Sequence, residues 1–135
     1  MKSDDKILIL DFGSQYTQLI ARRVREIGVF SEVKPSSIST EEIIKMNPSG
    51  IILSGGPETV TISSSQKVHK SLLEAKIPIL GICYGMQTIA NELGGTVVKS
   101  DIREFGHAEI SSVNQSVLFD NVSFDSDSLD VWMSH

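Results

Sequence analysis

Four short runs rich in apolar residues constrain the fold of this chain more than any other feature of its sequence. They cover residues 6–10, 29–34, 50–54 and 77–82. Short apolar runs with little polar interruption are typical of strands that are buried on both faces of a parallel sheet. The sequence therefore predicts four core strands.

Segments with helical periodicity alternate with these strands. The pattern predicts helices over residues 16–27, 39–46, 66–76 and 86–93. Gly28 fits the end of the first helix, and Ser39 with Glu42 fits a capping box at the start of the second. Four strand–helix units in series predict an α/β fold, a doubly wound and mostly parallel sheet with helices on both faces.

The pattern changes after residue 95. Short strand candidates follow one another at residues 96–99, 108–113, 117–119 and 129–133, with no helix predicted between them. Strands in direct succession are typical of hairpins. We therefore expect hairpins added after the strand–helix repeats.

Composition narrows the class of protein. The 135 residues include 12 Lys and Arg against 17 Asp and Glu, a net charge of −5, and 40% are apolar. This is typical of one globular domain, and the acidic excess argues against nucleic-acid binding. No apolar stretch approaches the roughly 20 residues of a membrane helix, and the N-terminus does not fit a secretion signal. We expect a cytoplasmic protein without a nucleic-acid or membrane partner.

The single cysteine, Cys83, excludes an intramolecular disulfide and a multi-cysteine metal site, so we expect no metal. It lies in Gly81-Ile82-Cys83-Tyr84-Gly85, between a predicted strand and a predicted helix. This is the pattern of a nucleophile elbow with cysteine in place of serine. The helix amides would favour negative charge on the sulfur, and the Tyr84 amide would stabilise an oxyanion. The alternative is a buried, unreactive cysteine beside a helix start.

A second candidate is the loop Ser54-Gly55-Gly56-Pro57, which follows the third strand. Ligands of doubly wound sheets bind at the carboxyl ends of strands, where both this loop and Cys83 lie. Glycine amides there could approach an oxyanion closely. The loop also fits an ordinary turn, and it matches neither a P-loop nor a dinucleotide fingerprint.

A cysteine hydrolase needs a base beside its thiol, and three histidines are candidates. We expect His69 on the surface of a polar helix. His107 and Glu109 have a His-x-Glu spacing, but no strong buried strand leads into them, so we expect His107 at a strand edge or in a loop. His135 is the final residue of the sequence, and its context is cut off.

Several blocks of the chain together resemble the GMP synthetase family. Residues 7–26 are similar to the start of the bacterial enzymes, and residues 50–57, 78–87 and 103–106 agree as well. Residues 131–135 are similar to the first part of that family's Val-Trp-Met-Ser-His-Gly-Asp segment. The cysteine block alone resembles class I glutamine amidotransferases, which have a flavodoxin-like fold. The opening block narrows the resemblance to the GMP synthetase family.

The resemblance implies an activity and a set of site residues. In this family the domain hydrolyses glutamine to glutamate and ammonia, and the ammonia passes to a synthetase domain that converts XMP to GMP with ATP. The matching positions are the nucleophile Cys83, which forms the glutamyl thioester, the oxyanion positions Gly55, Gly56 and Tyr84, and the glutamine-binding positions Gln87 and Ser134.

The chain departs from the family at one motif. The family's base and orienting carboxylate come from a His-Pro-Glu sequence further downstream, and these 135 residues contain none. We therefore expect residues 1–135 to be an incomplete type 1 glutamine amidotransferase domain, without its C-terminal part, without normal turnover and without a cofactor. For the parent protein the resemblance implies a synthetase domain in the same polypeptide, with ATP and Mg, a dimerisation domain and a homodimer.

Two other functions stay open from the sequence. A short natural protein could bind glutamine or a partner through the same pocket without hydrolysing it. A different cysteine hydrolase could use the same elbow. Reaction with a glutamine-analogue electrophile but not with simple esters would exclude this second alternative.

Overall fold

The computed structural model describes residues 4–56, 66–102, 104–111, 114–124 and 128–134. The chain forms two compact units, Met1–Val98 and Lys99–His135. Strands and helices alternate in the described part of the first unit. In chain order they are β1 Lys6–Asp11, α1 Thr17–Glu26, β2 Phe30–Pro35, α2 Thr40–Met46, β3 Gly50–Leu53, α3 Lys70–Glu74, β4 Ile79–Gly81 and α4 Tyr84–Glu92.

The four strands of the first unit form a parallel sheet with the order β2-β1-β3-β4. The chain places β2 on one side of β1, then β3 on the other side of β1, and β4 beyond β3. The order therefore reverses between β1 and β3, which is the switch point of a doubly wound sheet. Leu10 lies opposite Leu53 at this point, so the carboxyl ends of β1 and β3 are neighbours. The predicted fold class is confirmed.

The core lies between this sheet and its helices. Alternate strand residues point to opposite faces, so Leu8 and Ile9 are buried on opposite faces of the sheet. Strands, helices α2, α3 and α4, and two loop positions, Phe12 and Val68, contribute to the buried cluster on one face, which consists of Leu8, Leu10, Phe12, Ile43, Ile51, Leu53, Val68, Leu72 and Tyr84. On the other face α1 packs against β1 and β2, and Ala21 of that helix is fully buried.

A local sequence signal sets the start of α2. The Ser39 hydroxyl accepts from the Glu42 amide, and the Glu42 side chain accepts from the Ser39 amide, so the predicted capping box is confirmed. Helix α3 is shorter than the predicted 66–76. Residues 66–69 precede it because Val68 is buried and its amide donates to Thr88 Oγ1 of α4 at 2.9 Å. His69 is the N-cap of α3 and is exposed, as predicted.

The second unit contains an antiparallel hairpin of β5 Phe105–Ser111 and β6 Ser128–Ser134, which confirms the predicted hairpin. Two predicted strands are wrong. Residues 96–99 form no strand, since no described strand lies beside them. Residues 117–119 form a 3-10 turn whose first amides are organised by the Ser116 hydroxyl, which accepts from the Leu118 amide. Three apolar residues are too few for periodicity to separate a strand from a turn.

Candidate active site

Cys83 occupies the tight turn between β4 and α4. Its backbone has φ 52° and ψ −112°, a conformation that is sparsely populated for residues other than glycine. The turn closes at once into the helix, because the Gly85 amide donates to Ile82 O at 2.9 Å and the Gln87 amide donates to Cys83 O at 3.1 Å. The Cys83 side chain is exposed, in contrast to the alternative of a buried thiol. Strain of this kind clusters at functional sites.

The two glycines that flank the turn are required by close approach. A Cβ on Gly81 would lie 2.7 Å from the carbonyl carbon of Gly85 and from the amide nitrogen of Met86. A Cβ on Gly85 would lie 2.7 Å from Cβ of Leu53 at the end of β3. Any side chain here would push the helix away from the sheet. The spacing Gly-x-Cys-x-Gly therefore reflects how closely α4 begins against β3 and β4.

The glycine loop after β3 lies directly beside the cysteine. The Ile82 amide donates to Leu53 O at 3.0 Å, which aligns the end of β4 with the end of β3. A Cβ on Gly55 would lie 3.1 Å from Cβ of Cys83. The structure thus brings together two of the motifs that the sequence singled out, while Pro57 lies outside the described residues.

The first turn of α4 carries two further predicted residues. Tyr84 is buried, its ring centroid lies 5.5 Å from that of Phe12, and its hydroxyl donates to Gln66 O. The Tyr84 backbone is therefore held next to Cys83 by a ring anchored in the core. Gln87 lies one turn further on, and its buried Oε1 has no hydrogen-bond partner within the described residues. A buried acceptor without a donor is costly.

The remaining predicted residues belong to the second unit. The backbone of Ser134 ends β6, and His135 lies outside the described residues. His107 lies within β5, is exposed, and has Nε2 2.8 Å from Asp130 Oδ1 across the hairpin. The glutamine-binding role of Ser134 therefore stays a prediction.

Sequence reasoning named Ser54 as part of the glycine loop but missed the polar network that it forms at the switch point with Asp11 and Thr17. Asp11 ends β1, Ser54 follows β3, and Thr17 begins α1, and their side chains are joined by hydrogen bonds. One signal was available: Asp11 directly follows the first apolar run, and Ser54 is the polar residue that ends the third. Adjacent strands of a doubly wound sheet bring such residues together at the site edge.

Metal-binding clusters and membrane-spanning helices are both missing from the part of the chain that the structure describes. Within those residues, no three His, Cys, Asp or Glu side chains are grouped so that they could hold a metal ion. None of the described helices has the length and apolar character needed to cross a membrane.

Comparison with known proteins places this site in a family. The profile of the family "Glutamine amidotransferase class-I" matches residues 8–135. The chain belongs to this family. The class-I amidotransferase chain is also 55% identical to glutamine-hydrolyzing GMP synthase from Teredinibacter turnerae, over 96% of its own length and 26% of that protein. The corresponding protein of Histophilus somni is 56% identical, again over 96% of this chain and 26% of the relative.

A solved structure agrees with this placement. The chain superposes on a protein from Thermoplasma acidophilum, described as a GMP synthase subunit, with a TM-score of 0.73 and 29% sequence identity. The match covers 95% of this chain and 63% of that one. The amidotransferase chain therefore spans about a quarter of the curated relatives and less than two thirds of this structural neighbour.

Proposed function

We propose that this amidotransferase chain hydrolyses glutamine through Cys83 and that the ammonia serves the amination of XMP to GMP in a longer GMP synthase. The observation that carries the proposal is the strained, exposed Cys83 at the start of α4, with the Gly55 backbone against its Cβ. The similarity to GMP synthases over 96% of the chain supports GMP as the product of the longer protein.

The proposed chemistry is acyl transfer through a thioester. The Cys83 sulfur attacks the side-chain amide carbon of glutamine, and the carbonyl oxygen becomes an oxyanion. The amides of Tyr84 and of Gly55 and Gly56 are the proposed donors to this oxygen, because Tyr84 follows Cys83 directly in the chain and the glycine loop lies beside the Cys83 Cβ. The carbon–nitrogen bond then breaks, the nitrogen takes a proton and leaves as ammonia, and water cleaves the thioester to give glutamate.

Glutamine recognition is assigned to two residues. The Gln87 amide donates to Cys83 O, so Gln87 lies one helical turn from the nucleophile, and we propose that it contacts the bound substrate. Ser134 is proposed to hold the amino-acid end of glutamine. The longer protein is proposed to be a cytoplasmic homodimer whose synthetase domain uses ATP and Mg.

Proton transfer is assigned to groups other than the histidines of this sequence. The 135 residues contain no His-Pro-Glu sequence, and His107 is paired with Asp130 on an exposed hairpin. We propose that the base acts from outside residues 1–135. Ammonia release from glutamine by this chain should therefore be far slower than by a full-length relative. Comparable rates would contradict this part of the proposal.

The proposal is tested with a glutamine analogue in which a chloromethyl ketone replaces the side-chain amide. The sulfur displaces chloride and forms a stable thioether, and the thiol proton goes to solvent. We expect one adduct per chain, mapped to Cys83 by mass spectrometry, and none in Cys83→Ala. An adduct elsewhere, or equally fast reaction with simple activated esters, would contradict glutamine hydrolysis and favour a different cysteine hydrolase.

A further inference from the structure

Two buried hydroxyls lie behind the glycine loop, on the side of β1. Ser54 is fully buried and Thr17 is 2% exposed. Thr17 Oγ1 lies 3.1 Å from Ser54 Oγ, and the Phe12 amide donates to Ser54 Oγ at 3.2 Å. A buried serine with this many partners is fixed in one rotamer, because each lost bond would leave a buried polar group unsatisfied.

Asp11 holds this pair in place from the end of β1. Its Oδ1 lies 3.1 Å from Thr17 Oγ1 and accepts from the Gly13 amide at 2.8 Å. The network therefore runs from β1 through α1 to the residue that follows β3. It connects the two strands on either side of the switch point.

The Ser54 hydroxyl also reaches the backbone of the glycine loop. Ser54 Oγ accepts from the Phe12 amide, and the single Thr17 proton is shared among three acceptors, Ser54 Oγ, Asp11 Oδ1 and Ser14 O. Ser54 Oγ donates to Gly55 O at 3.2 Å. This bond fixes the carbonyl of the peptide that joins Gly55 to Gly56.

We infer that Ser54, held by Thr17, is a positioning residue that orients the Gly56 amide as an oxyanion donor. A trans peptide is planar, so its C=O and N–H point in opposite directions. Holding Gly55 O toward Ser54 turns the Gly56 N–H away from the core, where Gly55 lies against Cys83. The inference rests on the proposed function, since it names a positioning role in the same reaction.

The test compares two reagents on each variant. The glutamine chloromethyl ketone places a ketone oxygen where the oxyanion forms, whereas iodoacetamide alkylates the thiol by displacement and needs no oxyanion donor. The ratio of the two rate constants at Cys83 therefore reports the orientation of the loop amide and does not depend on how exposed the thiol is. Loss of a whole oxyanion donor lowers a turnover rate constant by ~10²–10³-fold. We therefore expect misorientation of the Gly56 amide in Ser54→Ala to lower the ratio of rate constants about tenfold.

Ser31→Ala is the matched control. Ser31 is also buried, and its hydroxyl donates to Ala21 O at 2.9 Å, away from the loop. The Ser31→Ala variant should lose about as much stability as Ser54→Ala, but its ratio of the two labelling rate constants should stay unchanged. Thr17→Val should lower the ratio less than Ser54→Ala, and Thr17→Ser should restore it, because the hydroxyl is kept.

The outcomes separate this inference from the proposed function. Labelling of wild-type Cys83 with unchanged ratios in Ser54→Ala and Thr17→Val would overturn the positioning role alone. Equal loss in Ser31→Ala would also overturn it, since the effect would then follow stability. Absence of any Cys83 adduct in the wild type would overturn the proposed function and this inference together.

Discussion

Strands of the first unit and strands of the hairpin are covered to very different degrees. Leu8 and Leu53 are fully buried between sheet and helices, whereas Trp132 is 77% and Phe105 is 73% exposed on the hairpin. Helices pack onto the parallel sheet, while the described part of the second unit adds only a 3-10 turn to its two strands. The residues that the structure brings together around Cys83 all lie in the unit that has its own core.

Core truncation should give the largest contrast between the units. Leu8→Ala removes a fully buried side chain, so it should lower the free energy of unfolding by about 3–4 kcal/mol. Trp132→Ala removes an exposed one and should change it by less than about 0.5 kcal/mol. Urea unfolding followed by far-UV circular dichroism measures both. Equal losses would show that the hairpin is as well packed as the sheet.

Substituting one glycine in each unit should give the next largest contrast. Gly85→Ala places a Cβ 2.7 Å from Leu53 Cβ and should cost about 2–3 kcal/mol and slow the labelling of Cys83. Gly106→Ala meets nothing within 4 Å, so only its positive φ of 103° opposes the substitution, at about 1 kcal/mol. Thermal unfolding and labelling rates check this prediction. Unchanged labelling in Gly85→Ala would contradict the close fit at the turn.

Loss of a capping side chain should have a smaller effect. Ser39→Ala removes the hydroxyl that caps the seven-residue α2 and should lower stability by about 1 kcal/mol. Ser116→Ala removes a similar acceptor from the three-residue 3-10 turn and should change stability less. Chemical denaturation of the two variants checks the order. A larger loss in Ser116→Ala would mean that the turn, and not the capped helix, stabilises the chain.

The smallest effect is expected at His107. Its contact with Asp130 is exposed, and exposed pairs contribute little. His107→Ala should leave stability and the rate of Cys83 labelling within error of the wild type. A labelling rate reduced about tenfold or more, in a folded variant, would assign His107 the role of base after all.

The first unit was predictable because each of its strands and helices carries a local signal. Apolar runs located β1 and β3, and the capping box and glycine stop located helix ends. The glycines of the elbow located Cys83. The chain from residue 96 onward offered weaker signals. Residues 117–119 are a three-residue apolar run that forms a turn, and Thr96, Val97 and Val98 are β-branched but have no neighbouring strand among the described residues.

The network behind the glycine loop was not predictable from periodicity. Ser54 and Thr17 are 37 residues apart in the chain, and their hydrogen bond depends on the sheet order that makes β1 and β3 neighbours. The shortening of α3 has a similar origin, because the bond between Val68 and Thr88 joins residues 20 positions apart. Tertiary pairing decides such contacts, and local sequence does not encode them.

Recognition of glutamine at Cys83 is the property on which the proposed function depends. The most direct measurement is the rate of Cys83 labelling by the glutamine chloromethyl ketone at increasing concentrations of free glutamine. We predict that glutamine slows labelling to saturation, that asparagine, one methylene shorter, does not, and that Cys83→Ala forms no adduct at any concentration. A labelling rate that does not change with glutamine concentration, or that asparagine lowers equally, would contradict glutamine recognition.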